Sequence, residues 1–185
     1  MTDQVAASSP EEAPASVPTG AEMTVELIID SYRVTGELLG HGGPRRLVDL
    51  LNVSDEAFVT LRDGALDDPL VEGDEPRRFD NVQVHREAIL FAIPRSAVEL
   101  DPDPYDLVKK VPVPATITVP GFEINGNVYL LPEIDPAAGH PLGGNHFIPM
   151  TDVSIRTVAR SEPAWFEPVV VVNVSRVRLF APRSG

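Results

Sequence analysis

Apolar and polar residues alternate along much of the chain with the two-residue period of a half-buried strand. Val25, Leu27 and Ile29 fall on one face, the phase changes across Asp30 and Ser31, and Tyr32, Val34, Gly36 and Leu38 then share a face. Ninety residues later Ala115, Ile117 and Val119 alternate, Pro120 and Gly121 interrupt, and Phe122, Ile124, Gly126 and Val128 take the opposite phase. Turn-forming residues occupy both breaks. At a spacing of 89, Phe58, Val59, Leu61 and Asp63 correspond to Phe147, Ile148, Met150 and Asp152. At a spacing of 88, Val84, Ile89, Phe91, Ile93, Pro94 and Arg95 correspond to Val172, Val177, Leu179, Ala181, Pro182 and Arg183. Three blocks recur in order with two single-residue gaps, so the chain reads as a tandem duplication rather than two unrelated β-rich segments.

Each copy predicts five short strands. A Gly inside the second strand (Gly36, Gly126) removes a side chain where a strand bends sharply, as in small barrels. Pro120-Gly121 suits a type II turn, which splays a two-residue hairpin, so a bulged or longer loop is equally open at this break. In the first copy Arg45 to Asn52 predicts two turns of helix, with Pro44 before it and Leu47, Leu50 and Leu51 on one side. The corresponding stretch of the second copy, Pro132 to Asn145, is rich in Pro and Gly and predicts an irregular loop. A short turn at Arg86 to Ala88 divides the last two strands of copy one. The expected fold is all-β: two tandem five-stranded, partly open barrels with one short helix.

This places the first barrel at Met23 to Val98 and the second at Val113 to Gly185. Between them, 99–112 is an acidic, Pro-rich linker, and 1–22, which lacks Lys and Arg and any periodic apolar face, reads as a disordered tail. Domains of about 70 residues bury too little surface to be robust alone, so the copies are expected to pack on each other.

Composition narrows the function. Among 185 residues, 28 acidic against 15 basic give a net charge of -13, which works against capture of phosphate backbones and anionic membranes. Without cysteine there is no disulfide, thiolate metal site or cysteine nucleophile. No apolar run approaches the ~20 residues of a membrane helix, and the amino terminus lacks the order of a signal peptide, so a cytoplasmic location is expected.

Val25-x-Leu27, Tyr32-x-Val34-x-Gly36-x-Leu38, Arg46-Leu47-Val48-Asp49-Leu50-Leu51-Asn52 and Phe58-Val59-Thr60-Leu61-Arg62-Asp63 together resemble a family of small bacterial β proteins whose function is unknown. The second copy keeps the first and third elements, with Phe147-Ile148-Pro149-Met150-Thr151-Asp152, and lacks the middle one. The layout, a strand pair with a curving Gly and a terminal pair split by a tight turn, is similar to Sm-like and SH3-like barrels. The resemblance implies a fold and brings no catalytic residue with it.

Several candidate chemistries follow from the residues. His41, His140 and His146 sit in equivalent Gly/Pro-rich loops and are the metal candidates, although no carboxylate stands at ligand spacing; His85 reads as a barrel-rim residue. The acidic runs Asp67, Asp68, Glu72, Asp74, Glu75 and Asp101, Asp103, Asp106 lack the Gly and bidentate Glu of an ordered calcium loop. Asp63 and Asp152 read as turn residues after a strand. Gly40 to Arg46 presents Arg45 and Arg46 beside a flexible loop without P-loop spacing, and Arg77, Arg78, Arg86 and Arg95 with Phe79 form a basic stretch diluted by surrounding acids. Trp165 and Phe166, in a Pro-bounded segment expected to be a loop, suit either a partner anchor or packing between copies.

The expected function is a non-enzymatic protein interaction or assembly module without a cofactor, with sheet edges and the loops between strands two and three as contact surfaces. Arg45, Arg46, Trp165 and Phe166 are its partner-binding candidates, and a homo-oligomer is one form it can take. An Sm-like nucleic-acid binder is the first alternative and a metal-dependent enzyme using the loop histidines the second.

Overall fold

A computed structural model describes residues 22–30, 32–39, 46–53, 56–68, 71, 75–96, 109–136, 142–158 and 165–183. Residues 1–21 of the expected tail, residues 99–108 of the expected linker, and the loop carrying His41 and Arg45 lie outside them, whereas Glu22, expected to end the tail, is a strand residue paired with Leu39. The strands are β1 (Glu22–Ile29), β2 (Tyr32–Leu39), β3 (Phe58–Asp67), β4 (Arg77–His85), β5 (Ile89–Pro94), β6 (Val111–Val119), β7 (Phe122–Leu130), β8 (Phe147–Thr157), β9 (Trp165–Asn173) and β10 (Leu179–Pro182). One short helix, α1 (Leu47–Val53), and two 3₁₀ turns, Arg86–Ala88 and Val174–Arg176, complete the described elements. The fold is all-β. The strands form one open antiparallel sheet in the order β10-β6-β7-β8-β9-β5-β1-β2-β3-β4.

The last five strands pair among themselves in the same order as the first five, and the two runs meet where β9 pairs with β5. Local devices recur at the offsets seen in the sequence. The β2–β3 ladder shifts register around Gly36, and the β7–β8 ladder around Gly126. A Cβ on Gly36 would lie 2.9 Å from the carbonyl oxygen of Arg62, and one on Gly126 2.8 Å from that of Thr151. Opposite each glycine an aspartate takes a left-handed conformation, Asp63 at φ 49 and Asp152 at φ 53. Those aspartates sit within β3 and β8 rather than after a strand. The short bulge they make keeps the chain in the ladder, so both strands run on to Asp67 and Thr157, beyond the apolar block that marks them in the sequence.

The β6–β7 hairpin is the two-residue form: Val119 pairs with Phe122, and Gly121 supplies the φ of +79 between them. Arg86–Ala88 forms the expected turn between β4 and β5. β4 and β5 stand at opposite margins of the first five-strand run, which would put them about 19 Å apart in a flat sheet. Only three residues separate His85 from Ile89, and four Cα steps reach at most about 14 Å. The run therefore curls.

Burial concentrates where the two runs meet. Ile89, Leu90, Phe91, Ala92 and Ile93 are all 0% exposed, and Val170, Val171 and Val172 no more than 1%. A continuous apolar run of this kind marks a strand covered on both faces. β1, beside β5, is covered similarly: Ile28 and Glu26 are buried as well as Val25 and Leu27, so the alternation expected there describes only one of its two buried faces. The side chains divide into two cores that exchange members. Phe147 and Val171 pack with Leu38, Leu51, Val59 and Leu61 of the first run, while Ile28, Leu90, Phe91 and Ile93 pack with Ile117, Ile124 and Val153 of the second. At about 1.5–3 kcal/mol for each large apolar side chain fully buried, these crossed residues tie the runs into one cooperative unit.

Helix α1 starts at Leu47, two residues later than the pattern predicts, and buries Leu47 and Leu51, with Leu50 only partly covered. Asn52, the last residue of the predicted helix, reaches β8: its amide donates to the Phe147 carbonyl at 2.8 Å, and its oxygen accepts from the Phe147 N–H at 2.9 Å. Residues 131–136 and 142–146, in the corresponding place of the second run, hold no helix or strand, as expected. β6 begins at Val111, so the last two residues of the expected linker, Val111 and Pro112, are strand residues paired with Leu130 and Tyr129.

Two outcomes follow from this packing. A fragment of residues 22–96 leaves Leu90, Phe91 and Ile93 without their partners and is expected to unfold at lower denaturant concentration than the full chain, by circular dichroism. Gly126→Ala forces a methyl against a backbone oxygen and is expected to lower stability by about 1–3 kcal/mol in the same assay.

Candidate functional site

The junction of β5 and β9 shows what this sheet uses to hold two edges together, and the outer strands β4 and β10 show what it leaves exposed. Phe91 pairs with Val172 and Ala92 with Val171. Beside this short ladder, Arg95 follows β5 and lies between two buried carboxylates. Its Nε donates to Glu26 at 2.9 Å and its Nη1 to Glu167 at 2.8 Å, with Nη2 also within 2.9 Å of both. Burial opposes the charge on Arg95, but the hydrogen bonds and charges of Glu167 and Glu26 outweigh it and hold the guanidinium above its ordinary value. At the other end of the junction the Asn173 amide donates to the carbonyls of Ile89 at 2.9 Å and Arg86 at 3.3 Å. Its oxygen meanwhile accepts from the N–H of Ser175 at the start of the 3₁₀ turn.

An aromatic series crosses the same boundary. Trp165 meets the edge of Phe122 with centroids 6.0 Å apart, and Phe122 meets Phe91 of the first run at 5.3 Å. Trp165 and Phe166 therefore separate. They lie in strand β9 rather than in a loop, and strand alternation turns Trp165 to the core while Phe166 stays 78% exposed. Of the expected partner-binding residues, Phe166 is a surface side chain, Arg46 is exposed and pairs with Asp49 at 2.8 Å, and Arg45 lies outside the described residues.

Of the metal candidates, His146 is exposed, while His41 and His140 lie outside the described residues. Among the described residues no three His, Cys, Asp or Glu are grouped to hold a metal. Asp67 of the first acidic run is a buried β3 residue bound by Arg33, whose Nε donates at 2.9 Å; Asp68 and Glu75 are described beside it, while Glu72, Asp74 and the second run are not. In the basic stretch, Arg95 is taken up by its two glutamates, whereas Arg77 and Arg78 stand exposed on β4. No helix among the described residues is long and apolar enough to cross a membrane.

The outer strands carry exposed apolar side chains, Phe79 of the expected basic stretch among them. β4 is exposed along most of its length, with Phe79 at 45%, and Phe58 of the adjoining strand is 46% exposed with its ring 5.0 Å from that of His85. On β10, Leu179 is 48% exposed. In the sequence Phe58 and Leu179 align with Phe147 and Phe91, both 0% exposed, and the difference in burial sets them apart. Comparison with protein-family models, curated proteins and solved structures finds no match.

Removing Arg95 leaves two buried carboxylates facing each other. Arg95→Met is expected to lower stability by about 2 kcal/mol, the partial exposure of the guanidinium limiting the loss. Adding Glu26→Gln and Glu167→Gln to that variant should restore part of it, and a double-mutant cycle on denaturation curves measures the coupling.

Proposed function

We propose that the chain is a non-enzymatic assembly module built from two fused copies of a small, partly open β-barrel of the Sm-like and SH3-like layout. The repeated strand order, the glycine-centred register shifts, the left-handed aspartates and the matching 3₁₀ turns support the duplication. The curl that a three-residue turn imposes on the first run supports the barrel form.

The observation that carries the functional reading is the state of the two outer strands. Among the described residues each has a strand partner on one side only and carries a large exposed apolar residue, Phe79 on β4 and Leu179 on β10. Such edges bind other polypeptides by strand addition, with backbone hydrogen bonds giving affinity and neighbouring side chains giving choice. The net charge of -13 favours a protein partner over a phosphate backbone.

A chain carrying Phe79→Lys and Leu179→Lys is expected to keep its circular dichroism and melting temperature, because both side chains are solvent-facing. In pull-downs from the native cell at physiological salt, the parent should retain protein partners that this variant loses. A parent that recovers no partner, or an RNA complex that weakens steeply with salt, would overturn the reading.

A further inference from the structure

We infer that the partner of the outer edges is a second copy of this chain, with β10 of one molecule pairing antiparallel to β4 of the next and repeating the junction that β5 and β9 make internally. The inference rests on the assembly reading and names its partner. Its basis is a comparison of equivalent positions. Phe147 on β8 is 0% exposed because it enters the core of the first run, whereas Phe58, its counterpart on β3, belongs to neither core among the described residues and is 46% exposed. Phe91 on β5 is 0% exposed because it faces the core of the second run, and its counterpart on β10, Leu179, is 48% exposed. Apolar residues have been placed where the internal junction buries them, at edges where a single chain does not.

The internal register fixes the external one. Phe91 opposite Val172 becomes Leu179 opposite Val84, and Ala92 opposite Val171 becomes Phe180 opposite Gln83. Val84 belongs to the first core, so Leu179 would enter that core from outside, as Phe91 enters the second. His85 takes the place of Asn173. Both begin a 3₁₀ turn and accept from the N–H two residues on, His85 through Nδ1, which leaves Nε2 to meet the neighbour's carbonyls as the Asn173 amide does.

A receptor for Phe58 exists on the other edge. Phe147 sits in a cluster containing Leu38 and Val59. Their counterparts, Val128 and Ile148, line a cavity of about 200 Å³ together with Leu130, Ile134 and Leu142. The volume exceeds that of a phenyl ring, and its lining is apolar for the larger part, with Lys110 and Asn145 also contributing.

The external junction is weaker than the internal one. Glu167, which holds Arg95, is replaced at the equivalent position by Phe79, so Arg183 would meet an aromatic face rather than a buried carboxylate. The chain's negative charge also opposes approach of a second copy. Association is therefore reversible, dependent on concentration and strengthened by added salt. Joining two different surfaces head to tail gives rings or filaments rather than an isolated twofold pair.

Sedimentation equilibrium of the full chain should show mass rising with concentration and with salt. Phe58→Asp, on the β4 side, and Leu179→Lys, on the β10 side, should each weaken association by more than about tenfold while leaving the circular dichroism intact. Because the parent has no cysteine, register is read directly: Leu179→Cys chains mixed with Val84→Cys chains should form a disulfide heterodimer on mild oxidation. Leu179→Cys mixed with Thr60→Cys, an exposed position away from the edge, should not. A parent that stays monomeric at every concentration and salt overturns self-association, as does equal cross-linking of both pairs. Neither result touches the wider assembly reading, which falls separately if the native-cell pull-down recovers nothing.

Discussion

The antiparallel contact between β5 and β9 is the constraint from which the rest of the molecule follows. It joins two five-strand runs into one sheet through only two residue pairs, Phe91 with Val172 and Ala92 with Val171. So short a ladder contributes little through its hydrogen bonds alone, since each is worth about 1 kcal/mol net. Its strength lies in the side chains that cross it. Phe147 belongs to one core and Phe91 to the other, so each run finishes its interior with residues lent by its neighbour. Runs of about 70 residues, too small to be secure alone, share a combined hydrophobic interior by this exchange.

Polar contacts give the junction its alignment. Arg95 holds Glu26 of its own run and Glu167 of the other, Asn173 satisfies the carbonyls around the first 3₁₀ turn, and Asn52 pairs with both backbone groups of Phe147. If the strands slipped by a residue, the buried Glu26, Glu167 and Asn173 would lose these partners, and an unpaired buried polar group is expensive. Apolar burial supplies attraction without direction; these few contacts select the register.

Much of the fold was legible because its signals are local and periodic. The phase change across Asp30 and Ser31, the strand glycines Gly36 and Gly126 and the turn at Arg86–Ala88 each leave a mark within a few residues. The lengths of β3 and β8 were not legible, because the continuation past Asp63 and Asp152 depends on a left-handed aspartate held opposite a glycine on another strand. Trp165 was misplaced into a loop because Pro163 and Pro168 flank it, whereas the edge of Phe122 holds it in a strand. Of the candidate site, the exposure of Phe58, Phe79 and Leu179 was not legible, because it is set by which strands end up at the margins of the sheet, and strand order is a long-range property. The roles of Arg95 and Glu167 are hidden for the same reason, being 72 residues apart in the chain.

The order in which the chain leaves the ribosome bears on that same junction. β5 is complete by Pro94, yet the strand that covers its outer side ends only at Asn173. Throughout synthesis of the second run, an almost wholly apolar strand waits with one edge bare, and a contact of such long sequence separation forms slowly. During that interval the nascent protein is most exposed to mispairing with its neighbours on the same messenger.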